Sequence, residues 1–177
     1  MYSVDDRDRV LAVPQLPKPD VGAPCPLVVA DEFTLVLAYY VSSPPPADWD
    51  GIPREITIDS TTESAALITL SGCRTYIQTE ITDATIKGHP LYERGLESYK
   101  AFEVPHSSWI RELEQFQATE ASPQPQSYAR LRHFIFAFHD SLFECIAGSF
   151  AVEIHQASIR SLIPRMSALL SSETASP

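Results

Sequence analysis

The sequence predicts an α+β fold: a mainly antiparallel sheet of about eight strands, curled or folded into a sandwich, with one mid-chain helix and one C-terminal helix. Two observations predict it. Short β-branched and aromatic segments separated by turn residues recur from Leu27 to Ile154, which is the signature of sheet strands. Apolar residues mark a helical face in Ser107 to Gln117 and in the stretch 156–170, while Tyr128, Leu131, Ile135, Phe138, Leu142 and Cys145 also fit a 3-4 repeat in a stretch that reads better as strands. The 177 residues, 44% of them hydrophobic, suit one domain with one core. That domain is expected over 27–170, with a proline-rich arm at 1–26 and a tail at 171–177.

The arm carries Pro14, Pro17, Pro19, Pro24 and Pro26, which remove backbone donors and block regular ladders, so it is expected to be extended or disordered. Leu27 to Ala30 and Thr34 to Val41, split by Asp31-Glu32, predict a hairpin. Ser42 to Pro53, with Pro44-Pro45-Pro46 and Gly51, predicts a loop. Short strands are expected at Glu55 to Ile58, Ala65 to Leu70, Arg74 to Thr79 and Ala101 to Val104, with an irregular connection around Gly88-His89-Pro90 and Gly95. In the first helix Trp109, Ile110, Leu113 and Phe116 share a face, and Ser107 or Ser108 can cap it. Ile159, Leu162, Ile163, Met166, Leu169 and Leu170 share a face of the second, where Pro164 should kink the helix or start a new first turn.

Thirteen basic against twenty-three acidic residues give a net charge of −10. Phosphate backbones and anionic membranes bind clustered Lys and Arg, so neither nucleic acid nor a membrane surface is an expected partner. No apolar run approaches the ~20 residues of a membrane helix. The first ten residues hold five charges where a secretory signal needs an apolar stretch, so a cytoplasmic location is expected. Cys25, Cys73 and Cys145 show no CxxC spacing and are expected as free thiols.

His133 to His155 is the stretch where spacing says most. Phe134, Phe136 and Phe138 at period two, with Gly148-Ser149 beyond, favour strands over a long helix. Two-residue turns at Asp140-Ser141 and Gly148-Ser149 would set Phe138 against Phe143, Phe136 against Cys145, Ala147 against Phe150 and Cys145 against Val152. One face would then be wholly apolar: Phe134, Phe136, Phe138, Phe143, Cys145, Ala147, Phe150, Val152 and Ile154. The other would bring Glu144 directly opposite Glu153, with His139 and His155 one row away. Like charges so placed need compensation.

Three readings of that cluster stand side by side. Glu144, Glu153 and His155, with His139 nearby, could ligate a divalent metal such as zinc, iron or manganese. The two glutamates could work as an acid and base pair. The bland reading is a half-exposed or helix-covered face where a histidine or arginine neutralises the carboxylates. His89 and His106 could join from their loops. A nucleophile at Cys73 lacks an identifiable base, and Tyr39, Tyr40 and Trp49 serve either as partner anchors or as packing residues. No GxSxG, P-loop, GxGxxG, HExxH or DxDxDG motif occurs.

Gly88-His89-Pro90-Leu91 with Gly95-Leu96, Ser107-Ser108-Trp109-Ile110, and the run from His133 to Ala147 resemble segments of a group of uncharacterised bacterial proteins, over roughly residues 24 to 155. The resemblance implies a bacterial, cytosolic origin and brings no activity, cofactor or catalytic residue. The functional expectation is a soluble, non-enzymatic accessory or interaction protein whose partner is another protein or a second copy. The alternatives are a metal-dependent enzyme using the Glu/His cluster and a small-molecule-binding β domain.

Overall fold

In the computed structural model, residues 2–24, 26–44, 51, 55–118 and 128–171 are described. Among them are nine strands: β1 (Leu11–Ala12), β2 (Leu27–Ala30), β3 (Thr34–Tyr40), β4 (Ala65–Ser71), β5 (Thr75–Thr79), β6 (Lys100–Glu103), β7 (Arg132–Ala137), β8 (Leu142–Ala147) and β9 (Ser149–His155). Two α-helices, α1 (Ser108–Gln117) and α2 (Ile159–Ser171), and two short 3-10 turns, Ile86–Gly88 and Tyr92–Arg94, complete the set. The strands form two antiparallel sheets, in order β1-β6-β7-β8-β5 and β2-β3-β4-β9. The class is the one the sequence predicts, an open two-sheet sandwich with helices.

The sheets face each other across a packed apolar layer. Leu35, Leu37 and Tyr39 of β3 and Ala66, Ile68 and Leu70 of β4 meet Phe134 and Phe136 of β7 and Phe143 and Cys145 of β8. This layer fills the space where a curled sheet would hold a ligand. The outer face of the four-stranded sheet, with Val36, Ala38, Tyr40 and Leu67, is covered by Ile159, Leu162 and Met166 of α2. That helix runs on through Pro164, so the proline starts no new helix. Tyr39 and Tyr40 are buried and therefore pack the core rather than anchor a partner; Trp49 lies outside the described residues.

Three expectations are corrected by the strand pairing. Gly148-Ser149 is not a hairpin turn: β8 runs into β9 through a bend, leaving one sheet for the other, while β4 runs into β5 beside it. Between Ser71↔Ser149 and Thr75↔Ile146 the first chain spends three residues, 72–74, and the second two, 147–148. One extra residue is a β-bulge, which bends paired strands sharply. Gly72 takes φ +63° there, and a Cβ would lie 3.6 Å from the Gly148 backbone nitrogen. Secondly, the β7–β8 turn is His139-Asp140, closed by Phe138 N–H to the Ser141 carbonyl at 2.9 Å. The pairs become Phe136↔Phe143 and Phe134↔Cys145, a slip of two residues. Because side chains alternate with period two, such a slip keeps every residue on its expected face. Of that apolar face only Ile154 is exposed, at the edge of its sheet. Thirdly, Glu55 to Ile58 forms no strand. The Ile58 carbonyl takes the Arg160 N–H and the Tyr40 hydroxyl instead of a ladder partner.

The N-terminal segment is part of the domain rather than an arm standing off it. β1 pairs with β6, Pro19 bridges to Val41, and Val13 and Leu16 enter the inter-sheet core. Its prolines prevent long ladders but leave its apolar side chains free to pack.

Candidate functional site

β8 is buried on both faces, and its outward face holds Glu144. Residues that pair β8 on either side, Ile135 and Ile77, stand across from Glu144, so the expected Glu144/Glu153 pair does not exist. Glu153 sits on the other sheet, opposite Leu67 of β4, where it binds His155 at 3.0 Å and Arg165 of α2 at 2.7 Å. The Arg165 guanidinium, followed by the other hydrogen bond from His155, holds the Glu153 carboxyl below its usual range. His139 lies in the β7–β8 turn, with its Nδ1 2.8 Å from the Tyr99 hydroxyl and 3.2 Å from Asp83. The proposed ligand set is thus split over three places by the two-sheet topology. Among the described residues no group of three or more His, Cys, Asp or Glu could hold a metal ion.

What gathers around Glu144 instead is His133, His89 and Tyr2. Glu144 is 1% exposed, His133 0% and His89 4%. His133 comes from β7, diagonal to Glu144 in the ladder, and sets its Nε2 3.1 Å from Glu144 Oε2. Tyr2 donates its hydroxyl proton to the same oxygen at 2.7 Å. The Tyr2 ring stacks on Trp109 with centroids 5.1 Å apart, and His133 stands edge-on to both rings. His89, from the segment that follows the first 3-10 turn, approaches Oε1 with Nε2 at 3.4 Å. That contact is electrostatic only, since its line is too poor for a hydrogen bond and both atoms lack another partner.

The segment that delivers Tyr2 is held by its own polar contacts. Asp8 is wholly buried; one carboxylate oxygen accepts the Ser108 N–H at 2.7 Å and the other the Asp5 N–H at 2.8 Å. Asp8 therefore neutralises an orphan amide at the start of α1, beside the Ser107 cap that accepts from Ile110. Asp5 pairs with Arg111 at 2.6 Å, and Ser3 N–H reaches Glu112 at 2.9 Å.

The hydrogen-bond network assigns the tautomers. Leu91 N–H donates to His89 Nδ1 at 3.2 Å, so the proton of His89 sits on Nε2, on the side of Glu144 but out of line for a hydrogen bond. The Glu144 carboxylate only accepts, so His133 Nε2, 3.1 Å from it, is the donor, and Ser107 Oγ lies 2.9 Å from His133 Nδ1 on the other side of the ring. Metal ligation at Nε2 needs a bare lone pair there and a proton on Nδ1. In His89 that proton would meet the Leu91 amide. The cluster is therefore a donor cradle closed on a carboxylate, and it does not fit a metal.

Burial alone would push the Glu144 carboxyl up; the hydrogen bond from His133, the approach of His89, the attraction of His133 and the Tyr2 hydroxyl together bring it from 4.5 down to about 2. Burial and the neighbouring Glu144 push the Tyr2 phenol far above its usual value, which keeps it a donor. Of the remaining candidates, His106 is exposed and takes a left-handed φ of 57°, with its carbonyl bound by Arg111. Burial raises the Cys73 thiol to about 11 and the core-packed Cys145 thiol well above its usual value, so neither is a ready nucleophile. An open hollow of about 300 Å³ is lined by Asp31, Glu32, Cys73, Arg74, Thr75 and Tyr76.

Sequence reasoning missed Tyr2, Asp8 and the His133–Glu144 contact. The available signal was two polar residues, His133 and Glu144, within an otherwise apolar two-faced run. The segments around His89, Ser107 to Trp109, and His133 to Ala147 meet at this cluster. No protein-family model matches the chain, and neither a curated protein nor a solved structure matches it.

Proposed function

We propose that this chain is a non-enzymatic accessory domain of the cytoplasm that acts through protein–protein contacts. The observation that carries the reading is the closure of the Glu144 cluster. Its acid–base groups point at one another inside the fold, Glu144 is held as an anion, and Tyr2 and Trp109 lie over it. A catalytic group must reach a substrate in a workable protonation state; these groups reach only each other. Two buried thiols, Cys73 and Cys145, stay unbridged within one core, which suits a reducing compartment. Phe33, Tyr76 and Phe116 are exposed and offer apolar contact area of the kind partners use. No helix among the described residues is long and apolar enough to cross a membrane.

The test is carbethoxylation of the native protein by diethyl pyrocarbonate, read residue by residue by mass spectrometry, beside thermal melts with zinc, manganese or ferrous iron. His106 and His139 should be modified while His89 and His133 stay protected, and no metal should raise the melting temperature. Modification of His89 or His133 at the pace of His106 would show that the cluster opens to solvent, and would move the reading to a ligand-binding or catalytic protein.

A further inference from the structure

β5 is the outer strand of its sheet, and its sequence, Thr75-Tyr76-Ile77-Gln78-Thr79, contains neither charge nor proline. Exposed edges normally carry such residues, because unpaired backbone groups recruit other strands. The β9 edge has Glu153 and His155, and β1 is only two residues long. β2, Leu27–Ala30, also lacks charge and proline but has four residues to the five of β5, so β5 is the longest edge without such a defence.

The direction of its backbone groups follows from the ladder. The Phe138–Ser141 turn makes Phe136↔Phe143 a hydrogen-bonded pair, so Phe143 and Cys145 direct their backbone groups toward β7. Leu142, Glu144 and Ile146 direct theirs toward β5, to Thr79, Ile77 and Thr75. Tyr76 and Gln78 are left with N–H and C=O groups aimed outward, where no described strand lies. Both residues are exposed, as are the flanking Arg74 and Glu80. Neither Arg74 nor Glu80 has a side-chain ion pair among the described residues.

We propose that β5 pairs antiparallel with β5 of a second copy, with Ile77 on the two-fold axis, joining the two five-stranded sheets into one. The occupant is chosen by self-complementarity. With Ile77 on the axis, the outward groups of Tyr76 meet those of Gln78 from the second copy, and Arg74, whose own N–H turns back to the Ile146 carbonyl at the corner bulge, comes beside Glu80 of the second copy just past the paired residues, twice by symmetry. Centring the axis on Tyr76 or Gln78 satisfies the backbone equally but sets Arg74 and Glu80 against other residues. The charges thus select one register of three. Tyr76, already stacked on Phe143 at 5.9 Å, supplies an ordered aromatic at the centre of the contact. The pairing names the partner in the interaction reading above and rests on that reading.

Sedimentation velocity on the full chain, from about 1 to 100 μM, tests it. Wild type should dimerise. Arg74→Glu should weaken the dimer roughly tenfold, and Arg74→Glu/Glu80→Arg should restore it. Gln78→Pro, which removes an outward N–H and spares the bonds to β8, should give a monomer. Circular dichroism melts check each variant's fold; if Gln78→Pro unfolds, the charge swap decides. A wild-type monomer at about 100 μM, or a dimer indifferent to Arg74→Glu, overturns the pairing. Either result leaves the carbethoxylation outcome unchanged, so failure here is distinct from failure of the sealed-cluster reading.

Discussion

Glu144 holds a negative charge beneath a layer of aromatic rings, which is tolerable only because Tyr2 and His133 donate to it and His89 lies close by. Each donor comes from a different part of the chain, so the carboxylate ties the N-terminal segment, the 3-10 segment and β7 to β8. Tyr2→Phe keeps the ring stacked on Trp109 and removes only the hydroxyl. It should cost about 2 kcal/mol, the usual worth of a hydrogen bond to a charged group, measurable by urea unfolding. Hydrogen exchange at residues 3–10 should speed up in the same variant, because Tyr2 is the inward anchor of that segment. At this scale the sequence was partly legible. Glu144 and a nearby histidine were identifiable, but which histidine depended on the turn position, and Tyr2, more than a hundred residues away in sequence, left no local signal.

At the scale of elements, the corner shared by β4–β5 and β8–β9 decides the architecture. Two paired strands bend together from one sheet into the other, with the extra residue at 72–74 absorbing the turn. Gly72→Ala would place a side chain at φ +63°, which costs on the order of 1 kcal/mol from local backbone strain. A loss of that size in denaturant unfolding, with an unchanged m-value, is the expected outcome. Gly148-Ser149 reads as a hairpin turn in sequence because a hairpin and a bend both place Ala147 and Phe150 on the apolar face. Period two specifies faces and leaves pairing partners open, so Phe134 to Val152 were assigned to the right face while Glu144 and Glu153 were brought together wrongly. The helix at Ser108–Gln117 was legible from its cap and apolar stripe; the role of Asp8 at its start was not, since it comes from a hundred residues upstream.

For the whole molecule, the layers run from α2 through two sheets to a cover made of the N-terminal segment, the 3-10 turns and α1. That cover hides the Glu144 cluster, so the account stands on Glu144 being a structural anion. Its folded carboxyl lies near 2 against an ordinary 4.5. A depressed carboxyl stabilises the fold above the unfolded value and loses that contribution as pH falls through the folded one, on the order of 3 kcal/mol across the window from about 4.5 to 2. The most direct test is denaturant unfolding of wild type and Glu144→Gln at a series of pH values from 7 down to about 2. The account predicts that Glu144→Gln is less stable by about 3 kcal/mol at pH 7, with the gap closing as the wild-type carboxylate protonates. A Glu144→Gln protein as stable as wild type at pH 7, or a gap that ignores pH, would contradict it.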